Sequence, residues 1–243
     1  MISVCMATYN GEKYIKAQLD SILPQLGIDD EIIISDDGST DQTLKIINGY
    51  YDKRIKLLNH KQTTKSVRFS FYKTTKNIEN ALVHAKGDLI FLVDQDDSWV
   101  STKMQVVTEE LDSSLCFLHD CIVVDQNGNE LVPSYFDQNK SNLGIIPNLW
   151  KNSYLGCCMI IRKELLKTAL PFPKIPVPHD IWLGLLAEWK GNTKMINNKL
   201  LYYRRHTSNQ STASGKSKLD YLYRIQYRLN ICLAFIVRIG FKR

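Results

Sequence analysis

Apolar residues in the first hundred positions come in short unbroken runs separated by polar, glycine-marked turns. Residues 2–7, 31–35, 55–58 and 89–93 are such runs, too short for helices and rich in β-branched side chains, so they predict strands. Amphipathic spacing between them predicts helices through Tyr14, Ala17, Leu19, Ile22 and Leu23, over 40–50, and over 78–85, where Gly87 follows. Strands alternating with helices imply βαβ units around a mainly parallel sheet buried on both faces.

The second half is less regular. Residues 115–124 read as a strand followed by a hairpin turn at Gln126-Asn127-Gly128-Asn129, and 154–162 as another apolar run. A short helix is expected over 163–170. Pro171, Pro173, Pro176 and Pro178 then lead to His179-Asp180 and a helix start at Ile181, with 200–205 as one more strand. The pattern predicts an α/β protein with a nucleotide-binding half (1–100), a mixed half that completes a cleft (101–215) and a helical tail (216–243).

Composition adds one fact to this picture. The 243 residues carry 31 basic and 25 acidic side chains, and seven of the basic ones (Lys216, Lys218, Arg224, Arg228, Arg238, Lys242, Arg243) lie in the tail against Asp220 alone. Residues 1–215 are therefore electroneutral, which argues against nucleic acid gripped along a face. The tail spaces Leu222, Ile225, Leu229, Cys232 or Leu233, and Ile236 along one stripe, with arginines elsewhere on the wheel. That is the pattern of a helix lying in an anionic membrane surface; a terminal helix packed on the body is the competing expectation. Six cysteines show no CxxC spacing and no signal peptide is visible, so a reducing, cytoplasmic setting is expected.

Chemistry concentrates where the strands end. Thr8-Tyr9-Asn10 follows the first strand, Asp36-Asp37 the second, and Asp94-Gln95-Asp96-Asp97 the fourth. Ligands of parallel α/β sheets sit at the carboxyl ends of strands. Asp-Asp-Gly-Ser is also good turn chemistry, with Ser39 or Thr40 able to cap the next helix. Three carboxylates within four residues repel one another unless a cation, a proton or a donor network offsets them, and Mg2+ or Mn2+ is a natural offset.

Three motifs in order carry a family resemblance. Ala7-Thr8-Tyr9-Asn10, Ile34-Ser35-Asp36-Asp37-Gly38-Ser39-Thr40-Asp41, and Ala85-Lys86-Gly87-Asp88 running into Asp94-Gln95-Asp96-Asp97-Ser98-Trp99 resemble the family 2 glycosyltransferases, inverting enzymes with the GT-A fold. The form of the last motif is similar to the bacterial rhamnosyltransferase-like branch. The resemblance implies that Thr8, Tyr9, Asp36, Asp37 and Asp94 surround the nucleotide of a sugar donor. It places Asp96, Asp97 and His206 at a Mn2+ or Mg2+ ion, Asp180 as catalytic base, and His179 beside that base. Lys76-Asn77 stands where the family often has Arg-Asn, so Lys76 is expected near a phosphate without the bidentate fork of arginine. Tyr203-Arg204-Arg205-His206, with Asn209 following, resembles a late motif that approaches the diphosphate. Trp182, two residues past Asp180, is a candidate acceptor contact.

The resemblance further implies a nucleotide-sugar donor (UDP- or dTDP-linked) and a glycan or lipid-linked acceptor in bacterial surface-polysaccharide synthesis; the tail pattern adds the expectation of a peripheral position on the inner face of the membrane. A nucleotidyltransferase would want a glycine-rich basic loop after the first strand, and an aspartyl phosphatase an acidic pair there; neither stands in the sequence. A non-catalytic nucleotide-sugar or partner-binding protein on the same fold is the remaining alternative.

Overall fold

The apolar runs form one end of a single nine-stranded sheet. The computed structural model describes residues 1–60, 69–206 and 221–241. Strands β1 (Ile2–Thr8), β2 (Glu31–Asp36), β3 (Ile55–Asn59) and β4 (Leu89–Asp94) are mutually parallel in the order β3-β2-β1-β4. Every residue of β2 is buried, as are Val4, Cys5 and Met6 of β1. Unbroken apolarity is what a strand covered on both faces needs. The crossovers carry α1 (Ile15–Ile22), α2 (Thr43–Asn48) and α3 (Phe71–His84), the last lying against β1 and β2.

The mixed half continues the same sheet. It comprises β5 (Ser98–Trp99), α4 (Lys103–Glu110), β6 (Cys116–Val124), β7 (Glu130–Val132), α5 (Tyr135–Asn139) and α6 (Ile145–Trp150). After these come β8 (Met159–Arg162), α7 (Lys163–Ala169), α8 (His179–Trp189), β9 (Thr193–Arg204) and α9 (Tyr221–Phe241). From β4 the order runs β8-β6-β9-β5, with β7 paired to β6. β8 is antiparallel to both β4 and β6, whereas β9 runs parallel to β6 and antiparallel to β5.

Four boundaries differ from the sequence pattern, each for a local reason. α3 opens at Phe71, seven residues before Ile78, because its polar positions are used inside: Thr75 Oγ1 donates to the Val177 carbonyl at 3.3 Å and Asn77 Nδ2 to the Thr8 carbonyl at 3.1 Å. α2 starts at Thr43 because Ser39, Thr40 and Asp41 instead staple the loop after β1, accepting from the Asn10 amide (2.9 Å), donating to Asn10 Oδ1 (2.8 Å) and accepting from the Glu12 amide (3.1 Å) in turn. β9 reaches back to Thr193, its apolar Met195 and Ile196 being cut off from Leu200 by exposed Asn197, Asn198 and Lys199. α8 begins at His179, so Pro178 rather than Asp180 precedes it.

Helix α9 is docked on the body. Ile231, Ala234 and Phe235 are buried, the Tyr223 ring lies 4.7 Å from that of Phe69, and Arg238 Nη1 donates to the Thr168 carbonyl at 2.6 Å. The stripe expected to meet a membrane faces the other way: Leu222, Ile225, Leu229, Leu233 and Ile236 are all exposed. Of the tail, Lys216, Lys218, Asp220, Lys242 and Arg243, like the join at 211–215 and Asn209, lie outside the described residues. Among the described residues no helix is long and apolar enough to cross a membrane.

Candidate active site

The register of the parallel strands gathers the polar residues at one edge. Thr8 stands opposite Asp36 and Ala7 opposite Asp94, so the ends of β1, β2 and β4 coincide. The two aspartates after β2 then part company. Asp36 is 1% exposed; its Oδ2 accepts from Thr8 Oγ1 (3.0 Å) and Ser39 Oγ (2.5 Å), and its Oδ1 from the Gly38 and Ser39 amides. Asp37 is half-buried; its amide donates to the Thr8 carbonyl at 2.9 Å, and its Oδ1 lies 3.0 Å from His60 Nδ1 at the end of β3. Asp36 is closed into the turn, whereas Asp37 meets His60 beside it.

Two expectations are corrected by this burial. Thr8, also 1% exposed, and Asp36 have no free surface for a donor; their polar groups answer each other. Tyr9, 55% exposed, does have one. Its backbone is clasped by Gln95, whose Oε1 accepts from the Tyr9 amide and whose Nε2 donates to the Tyr9 carbonyl, each at 3.0 Å. The clasp requires glycine at position 11, where a Cβ would stand 2.3 Å from Gln95 Oε1. Neither His60 nor Gln95 stood out in the sequence, because their partners lie on other strands.

Beyond β4 the chain turns through Asp96 and Asp97 into the two residues of β5, which pair with Leu201 and Tyr202 of β9. That pairing draws the end of β9 across the acidic turn. The Arg204 amide donates to Asp97 Oδ1 at 2.9 Å, Arg204 Nε to the Asp96 carbonyl at 3.0 Å, and His206 Nε2 lies 2.7 Å from Asp96 Oδ2. The His206 ring stacks on Tyr14 with centroids 4.9 Å apart. A carboxylate and an imidazole at one opening are donors suited to Mn2+, with further positions left for oxygens of a ligand.

Asp97 sits on the inner side of the turn. It is 1% exposed, and its Oδ2 is buried with no hydrogen-bond partner. One ligand atom each from Asp94, Asp97 and Cys157 lie within 4.8 Å of one another. Burial, followed by the charges of Asp96 and Asp180, pushes the Asp94 carboxyl up to about 7; burial, Asp96 and Asp94 raise that of Asp97. Lys103, 1% exposed, lies beneath the turn with its ammonium 4.5 Å from the Trp99 ring centroid. Burial lowers its pKa to about 8 while Cys158, Cys157 and Asp97 pull it back up. This buried cation was missed in the sequence, where it reads as one more helix-surface lysine.

Asp180 approaches from the mixed half. It lies in the first turn of α8, where its Oδ1 accepts from the Ile181 amide at 2.7 Å and its Oδ2 from Asn152 Nδ2 at 3.2 Å. Burial raises its pKa above the ordinary carboxylate range, against the His179 charge and these two donors. His179 is held below the usual imidazole range by burial, which Asp180 opposes. It packs on Gly156, where a Cβ would lie 2.6 Å from His179 Nε2.

Trp182 is not an acceptor contact. It is 1% exposed, its indole N–H donates to the Ala169 carbonyl at 3.1 Å, and the Arg238 guanidinium lies 5.1 Å from its ring centroid. Its α8 position turns it into the core under α7 and α9, the commonest place for a tryptophan of this burial. Lys76 pairs with Glu79 Oε2 at 2.6 Å over the Tyr72 ring, so a phosphate there has to compete with Glu79.

A sheet that binds at the carboxyl ends of parallel strands, with acidic side chains and a histidine meeting at that edge, is the frame of a nucleotide-sugar enzyme. The profile described as "Glycosyl transferase family 2" matches residues 3–170, and the chain belongs to that family. Among curated relatives, the chain is 27% identical over 221 residues to the UDP-Glc:alpha-D-GlcNAc-diphosphoundecaprenol beta-1,3-glucosyltransferase WfgD of Escherichia coli, spanning 90% of this chain and 81% of that one. It is 29% identical over 233 residues to the dTDP-rhamnosyl transferase RfbG of Shigella flexneri, spanning 89% and 76%. Among solved structures, TarS 1–349 of S. aureus in complex with UDP-GlcNAc superposes with a TM-score of 0.67 at 21% identity, covering 97% of this chain and 72% of that one. This last likeness bears on the fold, and the GT-A architecture holds.

Proposed function

We propose that the protein is an inverting glycosyltransferase that moves a sugar from a UDP- or dTDP-linked donor to a lipid-linked or glycan acceptor in bacterial surface-polysaccharide synthesis. The observation that carries it is the meeting of Asp96 with His206 at the edge where Asp94 also feels the charge of Asp180. This supports a reading in which donor-holding and proton-accepting groups from the two halves of the chain act together. The two curated relatives name different donors, a UDP-glucose and a dTDP-rhamnose, and both name a bacterial transferase.

Roles follow from surroundings. Asp37 and Tyr9, at adjacent strand ends, take the nucleotide. Asp96 and His206 would hold Mn2+ or Mg2+, which supplies electrostatic stabilisation of the leaving diphosphate. Arg204 and Arg205 add positive charge beside it. Asp180 takes the proton of the acceptor hydroxyl as its oxygen attacks the anomeric carbon and the nucleoside diphosphate departs. Its raised pKa suits that work, because a base is most effective when its pKa approaches the operating pH. His179 and Asn152 orient the carboxylate.

The lipid-linked acceptor gives the exposed stripe of α9 a purpose. Leu222, Leu229, Leu233 and Ile236 present apolar side chains on one line, Arg224 is exposed nearby, and Trp150 and Ile146 of α6 are 80% and 81% exposed. Arg228 links the two helices, its guanidinium 5.4 Å from the Trp150 ring centroid. A cytoplasmic, peripheral position on an anionic membrane surface is the reading these features support.

Transfer is tested by incubating the chain with radiolabelled UDP-glucose or dTDP-rhamnose, an undecaprenyl-diphosphate-linked sugar, and Mn2+. The expected result is metal-dependent label in the lipid fraction; binding of both donors with neither transfer nor hydrolysis would leave the non-catalytic alternative standing. Co-sedimentation with vesicles containing phosphatidylglycerol is expected to fall when Leu229 and Leu233 are both replaced by Ser.

A further inference from the structure

Helix α9 changes character along the side it turns to the body. Arg224, Arg228, Ile231 and Phe235 stand at i, i+4, i+7 and i+11 and so share one line of the helix. Ile231 and Phe235 are buried, whereas Arg228 is half-buried and Arg224 exposed. The line that packs as core further along thus carries two guanidinium groups, reached by solvent, over its first two turns.

That stretch of α9 is fastened to both segments that flank Asp180. Arg228 Nη2 donates to the Trp150 carbonyl at 2.9 Å, and Asn152, two residues on, donates from Nδ2 to Asp180 Oδ2 at 3.2 Å. Asn230 Nδ2 donates at 3.3 Å to the carbonyl of Pro176, in the segment leading to α8. Between Arg228 and the start of α3, half-buried Tyr227 meets Phe71 edge-on with ring centroids 5.9 Å apart. Burial, followed by the charges of Asp180 and Tyr223, raises the Tyr227 phenol above its ordinary range, and Arg228 opposes the rise.

We propose that Arg224 and Arg228, with the Tyr227 hydroxyl, form a phosphate subsite for the diphosphate of a lipid-diphosphate-linked sugar, whose sugar reaches Asp180 while its lipid lies against Trp150, Ile225 and Leu229. Such a subsite rests on the reading of Asp180 as the base, and it selects a lipid-linked acceptor over a free glycan. A diphosphate is multiply charged, and guanidinium groups hold phosphate oxygens through paired N–H donors. Arg228 has five such donors, of which the Trp150 carbonyl occupies one, and α9 contains no acidic residue to compete. Apolar surface adjoins the charge: Ile225 and Leu229 are exposed on either side of Arg228 in the chain, and the exposed Trp150 ring has its centroid 5.4 Å from the guanidinium. An amphiphile with an anionic head matches that layout. Bilayer phosphates match it less well, because Arg224 and Arg228 stand roughly 100–180° around the helix from Leu222, Leu229 and Leu233.

Farnesyl diphosphate is a soluble probe with both parts and no sugar to give up. Calorimetric titration of the whole chain without Mn2+, donor or vesicles is expected to show saturable binding, tighter than that of farnesol or inorganic diphosphate. Replacing Arg224 and Arg228 together by Gln should weaken it at least about tenfold, and Tyr227→Phe about threefold, with affinity for UDP and dTDP in Mn2+ unchanged. Full retention of probe binding in the double variant would overturn the subsite, as would a loss confined to phosphatidylglycerol vesicles or an equal loss of nucleotide binding. Should the double variant fail to fold, Arg224→Gln alone, at an exposed position, decides: a loss of about threefold or more supports the subsite, and none refutes it. Because the probe transfers nothing, failure of this binding leaves the role of Asp180 standing, whereas failure of the transfer assay counts against Asp180 and leaves the subsite.

Discussion

The parallel half and the mixed half place their functional residues by different means. In the parallel half, Tyr9 and Asp37 each follow a strand directly and Asp94 ends one, and register aligns them: Thr8 opposite Asp36, Ala7 opposite Asp94. In the mixed half, Asp180 and His206 depend on pairings between distant segments, above all β9 lying between β6 and β5. Local chain geometry is enough for a nucleotide edge, whereas the second reactant's side needs long-range closure. A family that keeps the first and varies the second can change acceptors without rebuilding donor recognition.

Breaking the mixed half at its centre gives the largest effect. Asp180→Asn is expected to leave donor affinity intact by calorimetry and to lower transfer by about 10²–10⁴-fold. Because only ionised Asp180 accepts a proton, the acid limb of the rate profile should fall off above the ordinary carboxylate range, in the direction of its raised pKa. Next comes the junction of the halves. His206→Ala should weaken Mn2+ binding, followed by electron paramagnetic resonance, by at least about 10-fold.

The parallel half answers to stability instead. Asp36→Ala strips the partner from two backbone amides and two hydroxyls, and should cost on the order of 3 kcal/mol in urea unfolding. Asp37→Ala should cost little stability and register in nucleotide affinity. The smallest effect is a gain. Burial pushes the Asp94 carboxyl up to about 7 in the folded, metal-free protein, well above its unfolded value near ~4, so the penalty on folding grows as pH rises from about 4 and is full above about 7. Asp94→Asn should therefore raise Tm at pH 8 by a few degrees, on the order of 1 kcal/mol, with the advantage shrinking as pH falls toward 4.

The same division explains what could be read from the sequence. β1, β2 and β4 announce themselves because strands buried on both faces are apolar throughout, and the acidic motifs then fall at their ends by topology. β9 was legible only from Leu200 because exposed Asn197, Asn198 and Lys199 interrupt its apolar residues. The separate fates of Asp36 and Asp37, or of Asp96 and Asp97, follow from which neighbour each side chain meets, and adjacent identical letters hold no record of that. Trp182 shows the limit of proximity in sequence: two residues along a helix from Asp180 is nearly the opposite face. Lys103 escaped notice, and Gln95 was given no role, because each acts on a partner in another element.

β9 is the last strand described, yet it is inserted between strands made earlier and carries the residues that reach Asp96 and Asp97. During synthesis on the ribosome, the nucleotide edge has therefore left the exit tunnel long before its cover arrives. A nascent chain halted after α7 would hold the parallel strands but neither Asp180 nor the residues of β9 that complete the centre.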